Sequence, residues 1–259
     1  MASEFNIFNE DCLTGMSKIP DGSVDLIITD LPYGITDCAF DRRLPFEPLW
    51  EQFHRVTKIN AAICLFAAGK FLIELAASNL KEYRYKWVWR KNLGTGFLNA
   101  KKMPLRAHED ILVFYRKLPK YNPQFTQGKP YTYGTNTKSP NYQVSRKYRG
   151  NVFRNTMLER RYPRDELLFN VPQTEIKTVH AQQKPVALLE YLIRTYSDAG
   201  ETVLDATMGS GSTGVAAINT GRNFIGFETE EKYFEIAKDR INKAVADNEE
   251  IGTISTDTI

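Results

Sequence analysis

The segment 202–227, TVLDATMGSGSTGVAAINTGRNFIGF, decides the fold class of this chain of 259 residues. It begins with an apolar strand at 202–205, passes through a glycine-rich turn and continues as a helix over 212–219. A second apolar strand follows at 224–227. A strand, a helix and a further strand in this order predict two parallel strands joined by a helix that packs on their sheet.

The same alternation of short apolar strands and amphipathic helices continues along most of the chain. Further strands are predicted at 5–8, 24–29, 62–66, 86–89 and 111–115, and further helices at 13–19, 46–56, 71–78, 185–196 and 232–245. This alternation predicts an α/β fold with a doubly wound, mostly parallel sheet. The polar, acidic tail 246–259 is predicted to be flexible.

Composition excludes several classes of protein. Hydrophobic residues make up 42% of the chain and charged residues 25%, as in ordinary globular proteins. The longest apolar run, 61–68, is far shorter than the roughly 20 residues of a membrane-spanning helix, and the N-terminus lacks a signal-peptide pattern. The widely spaced cysteines, Cys12, Cys38 and Cys64, exclude a disulfide framework and a zinc site. We therefore expect a cytoplasmic protein without membrane contact or bound metal.

The window 116–164 holds a concentration of positive charge. It contains twelve lysines and arginines against a single acid, Glu159, a net charge of +11, whereas the whole chain carries +3. Six tyrosines are interleaved with these charges. A solvated loop would explain a basic run taken alone. So large an imbalance in one segment favours a polyanionic partner, because lysine and arginine neutralise phosphates.

The glycine-rich turn after the strand 202–205 indicates a ligand site. Gly209, Gly211 and Gly214 match the pattern GxGxxG, and Glu228 follows the next strand, where an acid can hold ribose hydroxyls. A tight turn with close packing of helix on strand would explain the glycines alone. Together with the acid they favour a cofactor that contains a nucleoside, and a nicotinamide-dependent dehydrogenase shares this pattern.

Two further strand ends carry chemically active residues. Asp30, Leu31, Pro32 and Tyr33 come directly after the strand 24–29, where the aromatic and the proline could equally form a simple turn. The segment 9–13, NEDCL, follows the first strand, and its aspartate could simply cap the next helix. Because ligands bind at the carboxyl ends of strands in such sheets, these ends are expected to share one site.

In this combination and order, the three segments resemble the β group of amino-directed DNA methyltransferases. The stretch 30–33, DLPY, resembles the catalytic signature (D/N/S)PP(Y/F) of that family, with Leu31 in place of the first proline. The stretch 205–211 resembles its S-adenosylmethionine (AdoMet) loop, DPFxGSG, with Ala206 and Thr207 in place of proline and phenylalanine. The catalytic signature comes first and the AdoMet loop last, which is the order of the β group.

Other parts of the chain agree with that resemblance. The stretch 180–185, HAQQKP, is similar to the family's HPTQKP, and 226–228, GFE, matches the segment after the AdoMet loop. His108 and Glu109 match a motif that precedes a late strand. The combined order of motifs is far more specific than any one of them.

The resemblance implies a Rossmann-like AdoMet-dependent methyltransferase fold with a basic target-recognition insertion. It implies a catalytic and AdoMet-binding domain over 1–116 and 178–245 and a target-recognition region over 117–177. The implied catalytic residues are Asp30, Leu31, Pro32 and Tyr33. Those implied to bind AdoMet are Asp11, Cys12, Asp30, Lys184, Asp205, Met208, Gly209, Ser210, Gly211 and Glu228. The basic residues expected to contact DNA are Lys138, Arg146, Lys147, Arg149, Arg154, Arg160 and Arg161.

Individual roles also follow from the resemblance. Asp30 and a backbone carbonyl at Leu31 or Pro32 would accept the hydrogens of an exocyclic amino group, and Tyr33 would stack on the target base. Among the AdoMet-binding residues, Asp11 and Cys12 would lie near the adenine of the cofactor, Glu228 on its ribose, and Lys184 near its carboxylate.

The expected reaction is transfer of a methyl group to N6 of an adenine flipped out of double-stranded DNA, by a site-specific enzyme. Cytosine N4 is the principal alternative acceptor, and RNA is a further one. A nicotinamide-dependent dehydrogenase leaves the stretch 30–33 and the basic window without a role. A non-catalytic nucleic-acid binder leaves the intact site residues without one. Whether the protein forms a homodimer, whether it has a cognate restriction endonuclease and which DNA sequence it recognises are left open.

Overall fold

A computed structural model describes residues 3–34, 42–132, 157–171 and 183–256. The chain forms two compact units. The larger unit consists of Met1–Asn122 and Asp165–Ile259, and the smaller unit consists of Pro123–Arg164. Among the described residues, no helix has both the length and the apolar character that crossing a membrane requires.

The larger unit is built on an eight-stranded sheet, and the smaller unit contains a two-stranded one. The strands, in chain order, are β1 Phe5–Phe8, β2 Val24–Thr29, β3 Thr57–Ala67, β4 Tyr83–Thr95, β5 Arg106–Phe114, β6 Thr126–Thr132, β7 Met157–Arg161, β8 Glu166–Leu168, β9 Thr202–Asp205 and β10 Asn223–Phe227. The large sheet has the order β1-β10-β9-β2-β3-β5-β4-β8. Only β5 runs against its neighbours in that sheet, so the predicted mostly parallel arrangement is confirmed.

In the described part of the chain, six α-helices cover both faces of the large sheet. They are α1 Cys12–Met16, α2 Phe46–Val56, α3 Gly69–Ser78, α4 Val186–Tyr196, α5 Ser212–Asn219 and α6 Glu231–Thr256. Alternate side chains of β2 enter two separate cores: Leu26 and Ile28 pack with α4, α5 and α6, and Ile27 packs with α1, α2 and α3. Because both faces are buried, β2 is an almost continuous apolar run, as expected of a central parallel strand.

The structure differs from the sequence predictions in the length of several elements and in three strands, β6, β7 and β8, that were not predicted. β4 and β5 are longer than the predicted strands and enclose a single 3-10 turn at Phe97–Asn99. α6 does not end at residue 245 but continues to Thr256, so the predicted flexible tail is helical over most of its length. No proline interrupts this polar segment, and the Asn248 side chain donates a hydrogen bond of 2.7 Å to the Ala244 carbonyl.

The smaller unit lies inside the predicted target-recognition region 117–177. Its described part is the antiparallel pair β6 and β7, flanked by Phe125 and Tyr162, whose ring centroids are 4.8 Å apart. Arg160 lies over the Phe125 ring, with its guanidinium carbon 5.9 Å from the ring centroid. The remaining residues expected to contact DNA lie outside the described residues, apart from Arg161: they are Lys138, Arg146, Lys147, Arg149 and Arg154.

Candidate active site

A cavity of about 480 Å³ opens at the carboxyl edge of the large sheet. Its walls come from the segments that follow β1, β2, β9 and β10, which are the strand ends that the sequence indicated. The predicted site residues that line it are Asp11, Cys12, Asp30, Leu31, Pro32, Lys184, Asp205, Met208, Gly209, Ser210 and Glu228. Tyr33 and Gly211 do not line the cavity, although each directly follows a residue that does, Pro32 and Ser210.

Asp30 stands at the end of β2 with both carboxylate oxygens engaged. The Tyr33 hydroxyl donates to Oδ1 at 3.0 Å, and the Lys184 ammonium donates to Oδ2 at 2.5 Å. The hydroxyl of Thr207 donates to the Asp30 backbone carbonyl at 2.9 Å and lies 2.9 Å from the Thr29 hydroxyl. Thr207 belongs to the glycine-rich turn, so it joins the two motifs directly.

Lys184 is buried between two carboxylates. Its ammonium lies 2.5 Å from Asp30 and 3.3 Å from Glu109, and 5.1 Å from the centroid of the Phe66 ring. Burial alone would favour the neutral amine, but Asp30 and Glu109 outweigh it and raise the pKa of Lys184 above its ordinary value. Lys184 was expected near the AdoMet carboxylate, which stays a prediction, and the structure pairs its ammonium with the acid of the catalytic signature.

Glu109 extends this buried chain of charges away from the cavity. It lies on β5 and binds Lys184 through Oε2 and Lys91 through Oε1. Burial opposes its ionisation, yet the two ammonium groups lower the pKa of Glu109 below its ordinary value. Acid and base therefore alternate along the series Asp30, Lys184, Glu109 and Lys91, and the pKa shifts of Lys184 and Glu109 favour their charged forms.

The Tyr33 ring is fixed by its neighbours. It stacks on Phe71 of α3, with ring centroids 4.7 Å apart and an interplanar angle of 21°, while Arg43 donates to its backbone carbonyl at 2.6 Å. Burial, followed by the charges of Asp30 and Glu109, raises the pKa of the Tyr33 phenol well above its ordinary value. The phenol is therefore a hydrogen-bond donor to Asp30 at neutral pH.

The glycine-rich turn is organised around Asp205, the last residue of β9. Thr213 donates to its Oδ2 at 2.6 Å, and the Thr207 backbone N–H donates to its Oδ1 at 3.1 Å. Burial raises the pKa of Asp205 to about 6, although these hydrogen bonds and one from Thr29 favour the carboxylate. The hydrogen bonds of Asp205 thus connect the turn to β2 and to α5.

Gly209 forms the open part of the turn. It has a φ of +52°, and a side chain placed there would meet nothing within 4 Å. Its backbone N–H donates to Glu228 at 2.9 Å, and the other Glu228 oxygen accepts from the Glu230 N–H at 2.8 Å. Burial raises the pKa of Glu228 above its ordinary value. An open glycine backbone beside a buried carboxylate suits a ligand that carries hydroxyl groups.

Gly211 closes the turn against α6. It has a φ of +76° and is the N-cap of α5. A Cβ at this position would lie 2.8 Å from the Ala237 Cβ and 2.9 Å from the Ala237 Cα. A side chain would therefore clash as well as strain the backbone, and only glycine lets α5 approach α6 this closely.

Asp11 and Cys12 form the wall that follows β1. Asp11 caps α1, because its Oδ1 accepts from the N–H groups of Leu13 at 2.9 Å and of Thr14 at 3.2 Å. The Cys12 thiol is buried, and burial raises its pKa to about 12, so it is neutral and is not a nucleophile. Both residues shape the cavity through their position.

Several residues at the site were not assigned a role from the sequence. Glu109 holds Lys184, Lys91 holds Glu109, Thr207 holds the Asp30 carbonyl, and Arg240 of α6 donates to the Ser210 hydroxyl at 2.9 Å. Glu109 matches, with His108, a motif of the family, but that match gives it no partner. The other contacts depend on tertiary distances that no local pattern in the chain encodes.

These features define a class of protein. A cavity at the carboxyl edge of a doubly wound sheet has a glycine-rich turn on one side and, on the other, an acid and a proline that an aromatic residue directly follows, as expected of an AdoMet-dependent methyltransferase. A sequence model described as DNA methylase matches residues 24–239. The chain belongs to this family of N6/N4 DNA methyltransferases.

Individual relatives agree with the family. The chain is 29% identical to the type II methyltransferase M.BglII of Bacillus subtilis, over 89% of this chain and 67% of the relative. It is also 29% identical to the DNA adenine methyltransferase YhdJ of Escherichia coli, over 92% of this chain and 83% of the relative.

Solved structures share the fold. A complex of M1.HpyAVI with AdoMet superposes with a TM-score of 0.60 at 24% identity, covering 91% of this chain and 99% of that one. The cytosine-N4-specific PvuII DNA methyltransferase superposes with a TM-score of 0.65 at 14% identity, covering 95% and 94%. AdoMet is the cofactor, and the activity is that of a DNA methyltransferase of the adenine-N6 or cytosine-N4 type.

Proposed function

We propose that this enzyme methylates N6 of an adenine that is flipped out of double-stranded DNA at a specific site. The observation that carries the proposal is the Asp30 carboxylate, which lines the cavity beside Pro32 while Tyr33 and Lys184 fix its two oxygens. The relative YhdJ, named as a DNA adenine methyltransferase, supports the choice of base.

Methyl transfer to an exocyclic amino group requires hydrogen-bond acceptors beside that group. An exocyclic amine is a poor nucleophile because its lone pair is delocalised into the ring. Asp30 and the backbone carbonyl of Leu31 or Pro32 would accept its two hydrogens, localise that lone pair and stabilise the positive charge that develops on nitrogen. AdoMet supplies the electrophilic methyl group.

The buried charges give Asp30 its orientation. Lys184 remains an ammonium because of its raised pKa, and its contact with Oδ2 fixes the orientation of the Asp30 carboxylate. We infer that Lys184 is a positioning residue for Asp30, in place of the expected contact with the AdoMet carboxylate. Glu109 acts one step further out, through Lys184.

The remaining wall of the cavity fits AdoMet by the chemistry of its residues. Glu228 would bind ribose hydroxyls, and Asp11 and Cys12 would border the adenine. The turn around the open backbone of Gly209 would hold the methionine portion. The residues assigned to that portion are Asp205, Met208, Gly209, Ser210 and Gly211, of which Gly211 contributes by positioning α5.

The smaller unit is proposed to recognise the DNA target. The segment 123–164 carries nine lysines and arginines against one acid, Glu159. Arg160 and Arg161 of β7 would contact phosphates, as would the basic residues that lie outside the described part. Base flipping follows from the depth of the site, because an amino group inside a duplex cannot reach a buried carboxylate.

Cytosine N4 is the second candidate acceptor. The PvuII enzyme, named as cytosine-N4-specific, shares the fold with a TM-score of 0.65. The aspartate at position 30 argues against cytosine as the acceptor, because cytosine enzymes of this family more often carry serine there. We also propose a cytoplasmic location. A role in a restriction–modification system is proposed as well, and the relative M.BglII, which is named a type II methyltransferase, supports that role.

The test is methylation of duplex DNA by purified enzyme and AdoMet, followed by digestion to nucleosides and mass spectrometry. N6-methyladenine supports the proposal, and N4-methylcytosine reverses the choice of base while keeping the role of Asp30. In the variant Asp30→Ala, transfer should be lost while AdoMet still binds by calorimetry. Turnover that survives in this variant would overturn the role of Asp30.

A further inference from the structure

We propose that the part of the β4–β5 hairpin over residues 90–106, here called the tip hairpin, is a second DNA-contacting element beside the active site. Its apolar end, Phe97 and Leu98, would pack against base steps of the duplex. Lys101, Lys102 and Arg106 would bind the flanking phosphates. The inference rests on the proposed action on double-stranded DNA.

The topology places the tip hairpin at the edge of the sheet that carries the cavity. β5 pairs with β3 only as far as Asp110, opposite Ala67, and β8 pairs with β4 only as far as Arg90. Beyond these points β4 and β5 continue as a two-stranded ribbon, which from Arg90 to Thr95 extends about 17 Å at the usual rise of a strand. At its base, Lys91 binds Glu109, which is one ion pair from the Lys184 that holds Asp30.

Apolar side chains at the end of the hairpin are exposed and do not pack into either hydrophobic core. Phe97 is 80% exposed, Leu98 98% and Met103 55%. Exposed apolar groups are normal when single, but a cluster at the end of a projecting ribbon indicates a contact surface. Apolar side chains on such projections are the wedges with which many proteins enter between base steps.

The turn that presents these side chains is ordered. Gly96 has a φ of +90°, and its carbonyl accepts from the Asn99 N–H at 2.9 Å. The Phe97 carbonyl accepts from the Ala100 N–H at 3.0 Å, and the Asn99 carbonyl accepts from Lys102 at 2.8 Å. Because the turn is already formed, little conformational entropy is lost when it binds.

The positive charge of the tip hairpin favours a nucleic acid as its binding partner. Residues 90–106 contain five lysines and arginines and no acid. Lys101, Lys102 and Arg106 form no ion pair with the residues that the structure describes. A second copy of this chain would bring a like-charged hairpin against the first, whereas a nucleic acid offers phosphates to the lysines and base faces to Phe97.

The experiment compares two double variants of the full chain with a matched control. Phe97→Ala with Leu98→Ala removes the apolar end, and Lys101→Ala with Lys102→Ala removes two charges. The control, Leu80→Ala with Lys81→Ala, removes one exposed apolar group and one charge just before β4, at the opposite edge of the sheet. Affinity for a labelled duplex is measured by fluorescence anisotropy across a range of salt concentrations, and AdoMet affinity is measured by calorimetry.

We expect the apolar variant to bind the duplex roughly fivefold more weakly or worse, with an unchanged salt slope, because base contacts are lost without loss of charge. The lysine variant should reduce the slope of log Kd against log salt by about 2, one for each phosphate contact. AdoMet affinity should match wild type in both variants.

Duplex affinities and salt slopes equal to the control would overturn the inference. A shift of the sedimentation coefficient toward monomer, with unchanged DNA affinity, would assign the tip hairpin to a second copy instead. The proposed function is scored separately, by the methylated nucleosides that wild type produces. A wild type that binds duplex without methylating it contradicts the proposed function, while the comparison of variants still decides the role of the hairpin.

Discussion

The Lys184 ammonium lies 2.5 Å from the Asp30 carboxylate, which joins residues 154 positions apart in the chain. Both side chains are largely withdrawn from water, with 11% and 21% of their surfaces exposed. Removing one partner of a buried ion pair leaves an uncompensated charge, which costs more than the pair contributes. The ion pair with Lys184 therefore both stabilises the folded site and fixes the orientation of the Asp30 carboxylate.

Replacing Lys184 should separate its two candidate roles. In Lys184→Met we expect kcat at saturating AdoMet to fall on the order of a hundredfold, because Asp30 loses the donor that orients it. The free energy of unfolding should fall by about 3 kcal/mol, and AdoMet affinity should change little. Single-turnover methylation, urea denaturation and calorimetric titration of AdoMet measure the three quantities.

Lys58→Met is the matched control for that variant. Lys58 pairs with Asp25 at 2.6 Å but is 46% exposed, so its loss should cost less than about 1 kcal/mol and leave turnover intact. A large rise in the Kd of AdoMet in Lys184→Met, with kcat unchanged at saturation, would contradict a positioning role. It would restore the expected contact with the AdoMet carboxylate.

Local sequence patterns were sufficient for seven of the ten described strands and for the ends of strands that meet at the cavity, but not for β6, β7 and β8. Asp30, Asp205 and Glu228 each follow an apolar run of β2, β9 or β10, and parallel strands bring such positions to one edge. The link from Lys184 to Glu109 has no such signal, because it depends on where β5 lies beside β3. A side chain's partner across the fold is a tertiary property.

Neutralising Glu109 should shift the pH dependence of turnover. The pKa of Lys184 is raised by Asp30 and Glu109, so Glu109→Gln removes one of the two charges that favour its ammonium. Lys184 should then lose its proton at lower pH, and the alkaline limb of the kcat profile should move to lower pH. Glu190→Gln, which alters an ion pair with Arg194 on α4, should leave the profile where it is. Profiles that coincide for Glu109→Gln and wild type would exclude a role through Lys184.

Gly211 and Gly200 allow strain to be separated from steric overlap. Both have positive φ, +76° and +83°, but a Cβ at Gly200 meets nothing within 4 Å, whereas one at Gly211 meets Ala237. Gly200→Ala should cost roughly 1–2 kcal/mol of unfolding free energy through strain alone. Gly211→Ala should cost about 1 kcal/mol more and should also weaken AdoMet binding, since α5 must move away from α6. Equal effects of the two substitutions on AdoMet affinity would contradict the assignment of the turn.

The smaller unit should contribute measurably to DNA affinity through β7. Arg160→Gln with Arg161→Gln should weaken duplex binding and reduce the slope of log Kd against log salt by about 2. Lys70→Gln with Lys238→Gln, which alters helix-surface ion pairs on α3 and α6, should leave that slope unchanged. Titrations at several salt concentrations give the slopes. A slope that stays at the wild-type value in the arginine variant would place the DNA elsewhere.

The substituted family positions show what a motif comparison leaves out. Thr207 stands where the family's AdoMet loop usually has phenylalanine, and the motif comparison gave this substitution no role. In the fold, its hydroxyl binds the Asp30 carbonyl and its N–H binds Asp205. A departure from a motif can therefore add a connection between two parts of a site, and only the folded geometry reveals it.

Asp205 should give the protein a stability that falls as pH rises. Burial raises its pKa from the ordinary 3.8 to about 6, so the folded chain holds this proton more tightly than the unfolded chain. The stabilisation is complete below the unfolded pKa and is lost as pH rises through about 6. In Asp205→Asn that proton is absent, so the unfolding free energy of the variant relative to wild type should increase by up to about 3 kcal/mol between about pH 4 and pH 7. Urea denaturation across this range tests the difference, with the exposed Asp247→Asn as a control that should stay flat. A flat difference for Asp205→Asn as well would mean that the carboxylate is ionised in the folded chain throughout, held by Thr213 and the Thr207 N–H despite its burial.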